Sequence, residues 1–355
     1  MQMPTPVTII ITSDRYGGAG SDFSLEKEVI AAYPNLEVDL RGASPQSTAD
    51  MIALGAEADA LLLSTRNPVD EELVSSIPRT KVIGRYGVGL DNVDLDAAAR
   101  HGKIVTHYPQ YCTAEVADHA LSLILALNRR IVELDRDLRE GVWETQRAAT
   151  TQILRGPLPP LRESTVGIIG FGRIGQAVAT RLRGFGSRIL ATDPYVDAGT
   201  FEAAGVTGVS LDELLSQSDI VTVHCPLTPQ TRGLIGASEL ARMKPDAAIV
   251  NTARGPIIAE QALIAHLQEN PSFRAALDVM EVEPLPRESP LFQLPNVILT
   301  PHSAYYSERS TDTVQRETLA SVLDALSGIR PITVANPAVL EKVPLAENPR
   351  AATVS

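Results

Sequence analysis

Short apolar runs recur along the chain, and each is followed by a stretch whose apolar residues return every three or four positions. "VTIIIT" leads to a helix candidate from about Ser24, "LEVDL" to one from about Ser47, and "ALLLS" to one from about Val69. "KVIGRYG" precedes a helix near Asp94, after which comes "KIVTHYP". The rhythm resumes at Val166 and continues through "IVTVHC", "AAIVNTA", "AALDVM" and "NVILTPH". Strands that alternate with helices, without hairpin signals, predict βα units and parallel sheets, here as two α/β units in tandem.

Between the two units, Thr113 to Val142 carries helical apolar spacing (Val116, Ala120, Leu121, Ile124, Leu127, Ile131, Leu134). Its first half is apolar nearly all round, which predicts burial beyond its own domain, as against a second subunit. The stretch "ATTQILRGPLPPLREST" reads as an irregular connection, and the tail after about Pro331 has little core-forming content and is expected to fray.

Composition narrows the partners. A length of 355 residues fits two domains, and a formal net charge of −12 argues against a nucleic acid or an anionic membrane, both of which need clustered Lys and Arg. Two cysteines, Cys112 and Cys225, make no disulfide framework, and no CxxC or Cys/His cluster points to a metal. The opening "MQMPTPVTIIITSD" lacks a basic region and reads as a first strand, not a signal peptide. The longest apolar-rich stretch, Glu115 to Ile131, is broken by charge and too short to span a bilayer, so the protein is expected to be soluble and cytoplasmic.

The chemistry begins at "VGIIGFGRIGQAVATRLRGFGSRILATDPY". A GxGxxG spacing alone is weak, but here a strand precedes Gly170, Gly172 and Gly175 and a helix follows them. Gly170 permits the tight turn, Gly172 lets a phosphate approach, and Gly175 lets helix and strand pack. The helix N-terminus attracts a pyrophosphate. Asp193 falls 18 residues after Gly175, at the end of the next strand, where a carboxylate binds ribose hydroxyls and repels a 2′-phosphate. The cofactor is therefore expected to be NAD.

Ligands in open α/β sheets bind at the carboxyl ends of the strands, and four later strand ends carry Arg254, Asp278, Glu283 and His302 to one rim. An Arg that grips a substrate carboxylate, a His that exchanges a proton, and a carboxylate that favours the charged imidazole suit ketone–alcohol hydride transfer. Each has an ordinary reading too: Arg254 as a surface residue, Glu281 and Glu283 as solvated acids, His224 and His302 as satisfied strand-end histidines. Their order behind the glycine fingerprint favours the chemical reading.

With these blocks in view the chain resembles the D-isomer-specific 2-hydroxyacid dehydrogenases from about residue 45 to 330, through "GIIGFGRIGQAVA…DPY", "NTARG", "ALDVMEVEP" and "TPHSA". The resemblance implies a Rossmann NAD-binding domain (112–303) inserted into a flavodoxin-like substrate domain (1–111, returning over 304–335), with 336–355 as a tail. It makes Arg254 the substrate-binding arginine, His302 the acid/base and Glu283 its partner, and it places Asp278 at the nicotinamide carboxamide. It adds Phe171, Arg173 and Ile174 of the glycine turn, the loop from Cys225 and Pro226 to Thr231, and Thr252 with Ala253 as cofactor-lining positions. Val88 and Gly89 in "RYGVGLDNVD" resemble a carboxylate-binding loop, Tyr111 a substrate-side tyrosine, and Arg66 a contact to a second acidic group. Formate dehydrogenases place Gln where Glu283 stands, which excludes formate. About 50 residues follow Tyr305, too few for both the return segment and the regulatory domain of long phosphoglycerate dehydrogenases. The block "HSAYYSERS" looks closest to the C-terminal-binding-protein branch, which has Trp at the position of Tyr305, a departure that leaves side-chain selectivity open.

Two functions are expected on these grounds. The first is hydride transfer between NAD(H) and a D-2-hydroxy acid/2-keto acid pair. The second is an NAD(H)-sensing dimeric interaction protein of the C-terminal-binding-protein type.

Overall fold

The computed structural model describes residues 3–13, 15–64, 67–141 and 158–350, and the chain divides into two units: residues up to Tyr111 with those from Ser307 onward, and Cys112–Tyr306. The first unit opens with β1 (Thr5–Ile11), α1 (Ser24–Ile30), β2 (Leu36–Gly42), α2 (Thr48–Glu57), β3 (Ala60–Leu63), α3 (Glu71–Ser76), β4 (Val82–Arg85), α4 (Leu95–Arg100) and β5 (Ile104–His107). Its parallel sheet has the order β2-β1-β3-β4-β5, the flavodoxin-like arrangement. Strands β3, β4 and β5 are buried throughout, which is why they do not alternate apolar and polar residues, although β4 ends in Arg85 and β5 in Thr106 and His107. The helix starts are written in the sequence: Ser47, Asp70 and Asp94 each accept the backbone N–H three residues on, capping α2, α3 and α4.

The second unit contains α5 (Thr113–Arg129), α6 (Ile131–Arg139), β6 (Thr165–Ile169), α7 (Arg173–Arg183), β7 (Arg188–Thr192), α8 (Ala198–Ala203), β8 (Thr207–Gly208), α9 (Leu211–Gln217), β9 (Ile220–Val223), α10 (Ala237–Leu240), β10 (Ala248–Asn251), α11 (Glu260–Glu269), β11 (Arg274–Leu277) and β12 (Val297–Leu299). Its sheet is parallel with the order β12-β11-β10-β9-β6-β7-β8. The chain reverses direction across the sheet between β6 and β9, the switch point where α/β folds bind nucleotides. One core lies between α5, α7 and the sheet, around Ala120, Ile124, Ile168 and Val178; a second lies on the opposite face, around Leu214, Ile249, Leu263 and Phe273.

The expected single helix over Thr113–Val142 is broken. Arg130 takes a left-handed backbone (φ +51), and Arg274 Nη1 caps the end of α5 by donating to the Leu127 carbonyl at 3.0 Å. Apolar spacing continues past the break, but α6 buries nothing: Ile131, Val132 and Leu138 are 54%, 48% and 55% exposed. Val142 lies outside the described residues. Among the described residues no helix is long and apolar enough to cross a membrane.

The chain re-enters the first unit as α12 (Glu308–Leu326), capped by Ser307. It lies so close to β4 that a Cβ on Gly84 would sit 2.7 Å from Val322. Beyond this helix the tail, expected to fray, is instead tied down. Residues 333–336 cover the edge of β5: the Ala335 N–H donates to the Val105 carbonyl (2.8 Å), and Thr106 Oγ1 donates to the Thr333 carbonyl (2.7 Å). Buried Asn336 accepts the Val105 N–H at 2.9 Å and donates to the Lys103 carbonyl at 2.8 Å. Val339 is fully buried, and Asn348 donates to Asp324. The segment satisfies an otherwise bare strand edge with amide groups and adds Val339 to the core, and hydrophobic patterning does not register the polar part. Asn336→Ala leaves the Val105 N–H of β5 and the Lys103 carbonyl just before it without this partner and is expected to cost about 2–4 kcal/mol in urea unfolding; an unchanged midpoint would show that the segment does not hold the edge.

Candidate active site

After β6 the chain turns at Gly170, whose backbone is left-handed (φ +90) and whose N–H donates to the Thr192 carbonyl at 2.9 Å. A Cβ there would lie 2.4 Å from the Cys225 nitrogen, and one on Gly175 would lie 2.2 Å from the Gly170 carbonyl oxygen. At Gly172 a Cβ would meet nothing within 4 Å. The loop is thus closed by protein at two glycines and open at the third, at the start of an 11-residue helix with no acid in its first turn. That arrangement fits a pyrophosphate. Phe171 points inward, fully buried against Phe201, while Arg173 is exposed and Ile174 half-buried. Asp193, at the end of β7, accepts the N–H of Phe171 at 2.8 Å and that of Tyr195 at 3.0 Å, which ties its carboxylate to the glycine loop.

The turn after β9 starts at His224, which burial pushes down to about 3 and so holds neutral, with Nε2 2.9 Å from Thr222 Oγ1. The ordinary reading of this histidine is the one its surroundings fit. Burial pushes the Cys225 thiol up to about 11. Thr231 braces the loop by donating to the Pro226 carbonyl at 2.6 Å.

The turn after β10 is shaped by Asn251, which accepts the Ala253 N–H (3.0 Å) and donates to the Arg254 carbonyl (2.9 Å). Thr252 is buried; Ala253 and Arg254 are half-buried. Gly255 then presses backbone onto backbone: a Cβ there would be 1.9 Å from the Met280 carbonyl carbon. This contact brings the Arg254 turn against the segment after β11, and Arg254 lies within electrostatic reach of Glu283.

Glu283 Oε1 accepts the Met280 N–H at 3.0 Å, and Oε2 lies 2.7 Å from His302 Nδ1. Burial raises this carboxyl, but the hydrogen bond and charge of His302, the Met280 N–H and the charge of Arg254 together hold it below its ordinary value. With Nδ1 engaged, Nε2 is the imidazole atom left to meet a substrate. His302 has a left-handed backbone (φ +51) and donates its N–H to the Asp278 carbonyl at 2.7 Å. The Asp278 side chain is fully enclosed. Its Oδ1 accepts Thr300 Oγ1 (2.6 Å) and the Ser303 N–H (2.9 Å), and its Oδ2 accepts the Ala304 N–H (2.9 Å). Its observed partners are the loop that carries His302. The Tyr305 ring stands edge-on to the His302 ring, with centroids 6.1 Å apart.

Arg254, Glu283, His302 and Tyr305 therefore sit in the second unit together with the glycine turn, Asp193 and Asp278. Val88, Gly89 and Tyr111 belong to the first. There Gly87 (φ +124) turns the chain so tightly over Arg85 that a Cβ would be 2.0 Å from its guanidinium, leaving Val88 and Gly89 half-buried at the end of β4. Arg66 lies outside the described residues. Sequence reasoning missed Asn251, Gly255 and Thr300; an Asn that opens a turn and a Gly directly after the Arg were the available signals. Among the described residues no group of three or more His, Cys, Asp or Glu is placed to hold a metal ion.

Residues 121–304 match the family described as "D-isomer specific 2-hydroxyacid dehydrogenase, NAD binding domain". The chain belongs to the D-isomer specific 2-hydroxyacid dehydrogenase family. A D-3-phosphoglycerate dehydrogenase of Mycobacterium leprae is 38% identical over 304 residues, 86% of this chain and 56% of that protein. The chain thus spans little more than half the length of that relative. A glyoxylate reductase of Korarchaeum cryptofilum is 37% identical over 87% of this chain and 92% of its own. The structure of D-lactate dehydrogenase from Aquifex aeolicus, complexed with NAD and lactic acid, is similar with a TM-score of 0.74 and 26% identity, covering 95% of this chain and 98% of that one. These relatives are dehydrogenases and reductases; they show the family and not the C-terminal-binding-protein branch. The second unit contains the family's NAD-binding domain.

The glycine geometry separates two substitutions. Gly170→Ala meets both a left-handed backbone and the Cys225 backbone, so it is expected to lower Tm by several degrees, of the size about 1–2 kcal/mol produces, and to weaken NADH binding. Gly172→Ala meets open space and leaves Tm within about one degree. Equal melting of the two variants would contradict the assignment of the closed and open sides of the loop.

Proposed function

We propose that the protein is an NAD-dependent dehydrogenase that moves a hydride between NAD(H) and a D-2-hydroxy acid/2-keto acid pair. The observation that carries this reading is the 2.7 Å pair between His302 Nδ1 and Glu283 Oε2, within the field of Arg254 at the carboxyl ends of the strands. The phosphoglycerate, glyoxylate and lactate named in the relatives each carry a carboxylate beside the carbon that is oxidised or reduced. Arg254 has the planar fork to hold that carboxylate and polarise the carbonyl oxygen. Bound NADH supplies the hydride. His302 holds at Nε2 the proton that the developing alkoxide takes, and Glu283 stabilises the imidazolium and fixes the ring. In the oxidising direction neutral His302 accepts the hydroxyl proton. Within the first unit we assign substrate contact to the half-buried turn at Val88 and Gly89 and to Tyr111.

Asp193 supports NAD over NADP, since its charge at the end of β7 opposes a 2′-phosphate. The exposed Ile131, Val132 and Leu138 beside α5 support a homodimer, and the low cysteine content, Cys112 and Cys225 in 355 residues, supports a reducing, cytoplasmic setting.

The direct test is NADH oxidation with a panel of 2-keto acids. Turnover above roughly 1 per second with NADH, and much slower turnover with NADPH, is expected; NADH binding without turnover of any keto acid would refute the reading. Because Glu283 lies below its ordinary 4.5, acidification removes its charge, and with it the rate of reduction, only below that pH. Glu283→Gln takes away the carboxylate that holds His302 Nδ1, so kcat for keto-acid reduction is expected to fall about tenfold or more; an unchanged kcat would separate Glu283 from the chemistry. Light scattering at micromolar concentration with NADH present is expected to give twice the chain mass, and a monomer would contradict the dimer.

A further inference from the structure

The loop that carries His302 has a second support that the reaction scheme does not use. His119, on α5, points its Nε2 at Thr300 Oγ1 (3.1 Å), with Asp278 Oδ1 behind it at 3.6 Å. Thr300 has one hydroxyl proton, and the 2.6 Å bond to Asp278 Oδ1 takes it. Its oxygen is left to accept, so His119 must carry its proton on Nε2 and donate. The hydroxyl then points toward Asp278, whose carboxylate is fully enclosed and accepts the N–H groups of Ser303 and Ala304 on either side of the same turn. His302, directly before them, needs that turn to keep its left-handed backbone.

We propose that His119 is a positioning residue for His302, acting through Thr300 and the Asp278 carboxylate. This rests on the reading of His302 as the acid/base. The chain of bonds runs from α5, a 17-residue helix packed into the core of the second unit, to the turn that carries His302. It lets a helix anchored in the core set the angle of the catalytic ring. Without the imidazole the Thr300 hydroxyl gains rotational freedom, one donor to a buried carboxylate becomes intermittent, and the turn samples conformations in which Nε2 misses the substrate oxygen.

The test compares His119→Leu, which removes the donor, with His119→Gln, whose amide nitrogen reaches about the same point. Hydrogen–deuterium exchange of the full chain is followed on peptides spanning residues 300–306, alongside steady-state reduction of a 2-keto acid and NADH binding. In His119→Leu the Ser303 and Ala304 amides are expected to exchange about tenfold faster and kcat to fall about tenfold or more, with the NADH Kd within about twofold. His119→Gln is expected to restore both to within about threefold of wild type. Thr300→Val, with His119 intact, is expected to reproduce the loosened turn, and it decides the matter if His119→Leu fails to fold. Wild-type exchange in Thr300→Val or in a folded His119→Leu overturns the proposal, as does a Gln variant as impaired as the Leu variant. If the wild-type protein reduces no 2-keto acid, the proposed function fails, and the exchange measurement still decides the role of His119.

Discussion

The Asp278 carboxylate is the constraint around which the second unit arranges its chemistry. A charge with no solvent exposure must have its acceptor positions filled, and here they are filled by the Thr300 hydroxyl and the N–H groups of Ser303 and Ala304. Those groups converge only if the chain after β12 curls back over the end of β11. The curl puts His302 in a left-handed conformation that a non-glycine residue adopts only when its surroundings impose it. Once His302 is fixed, Glu283 can reach its Nδ1, because the other Glu283 oxygen is already anchored on the Met280 N–H. The same segment is pressed by Gly255, which sets where Arg254 begins. Three strand ends are joined through backbone contacts, so the reacting side chains inherit the rigidity of the sheet.

The cofactor side is built on the same principle. Gly170 and Gly175 are required because backbone approaches them, Gly172 because space must remain open, and the three demands come from different directions in one short turn. Asp193 is a link that holds the loop to β7 and, in the function we propose, also the charge that opposes a 2′-phosphate. A carboxylate with both duties cannot be exchanged for a cation without loosening the loop, so a change of cofactor preference carries a structural penalty.

Much of this could be read from the residues alone. The βα alternation, the glycine turn in its strand–helix context, and the order Arg254, Asp278, Glu283, His302 all depend on local patterns, and local patterns survive in a sequence. The features that could not be read depend on long-range polar contacts. The break at Arg130 leaves the apolar spacing of Thr113–Leu134 intact and so has no periodic signature. The segment 333–350 has few, irregularly spaced apolar residues: Val339 packs into the core of the first unit, while Asn336 and Asn348 hold the chain by hydrogen bonds to β5 and to Asp324 that leave no periodic pattern. The place of Asp278 at a strand end is visible in the sequence, while its enclosure by Thr300, Ser303 and Ala304 is not. His119 lies on a helix read only for its apolar face.

In the function we propose, His302 is the residue on which the chemistry most directly depends. Stopped-flow reduction of a 2-keto acid by NADH, with cofactor affinity measured on the same samples, separates proton transfer from binding. His302→Ala is expected to lower the rate of hydride transfer by on the order of 10²–10⁴ while the NADH Kd stays near that of the wild type. A His302→Ala protein that keeps most of its keto-acid turnover would contradict the assignment of the proton to this residue, and with it the reading of the site.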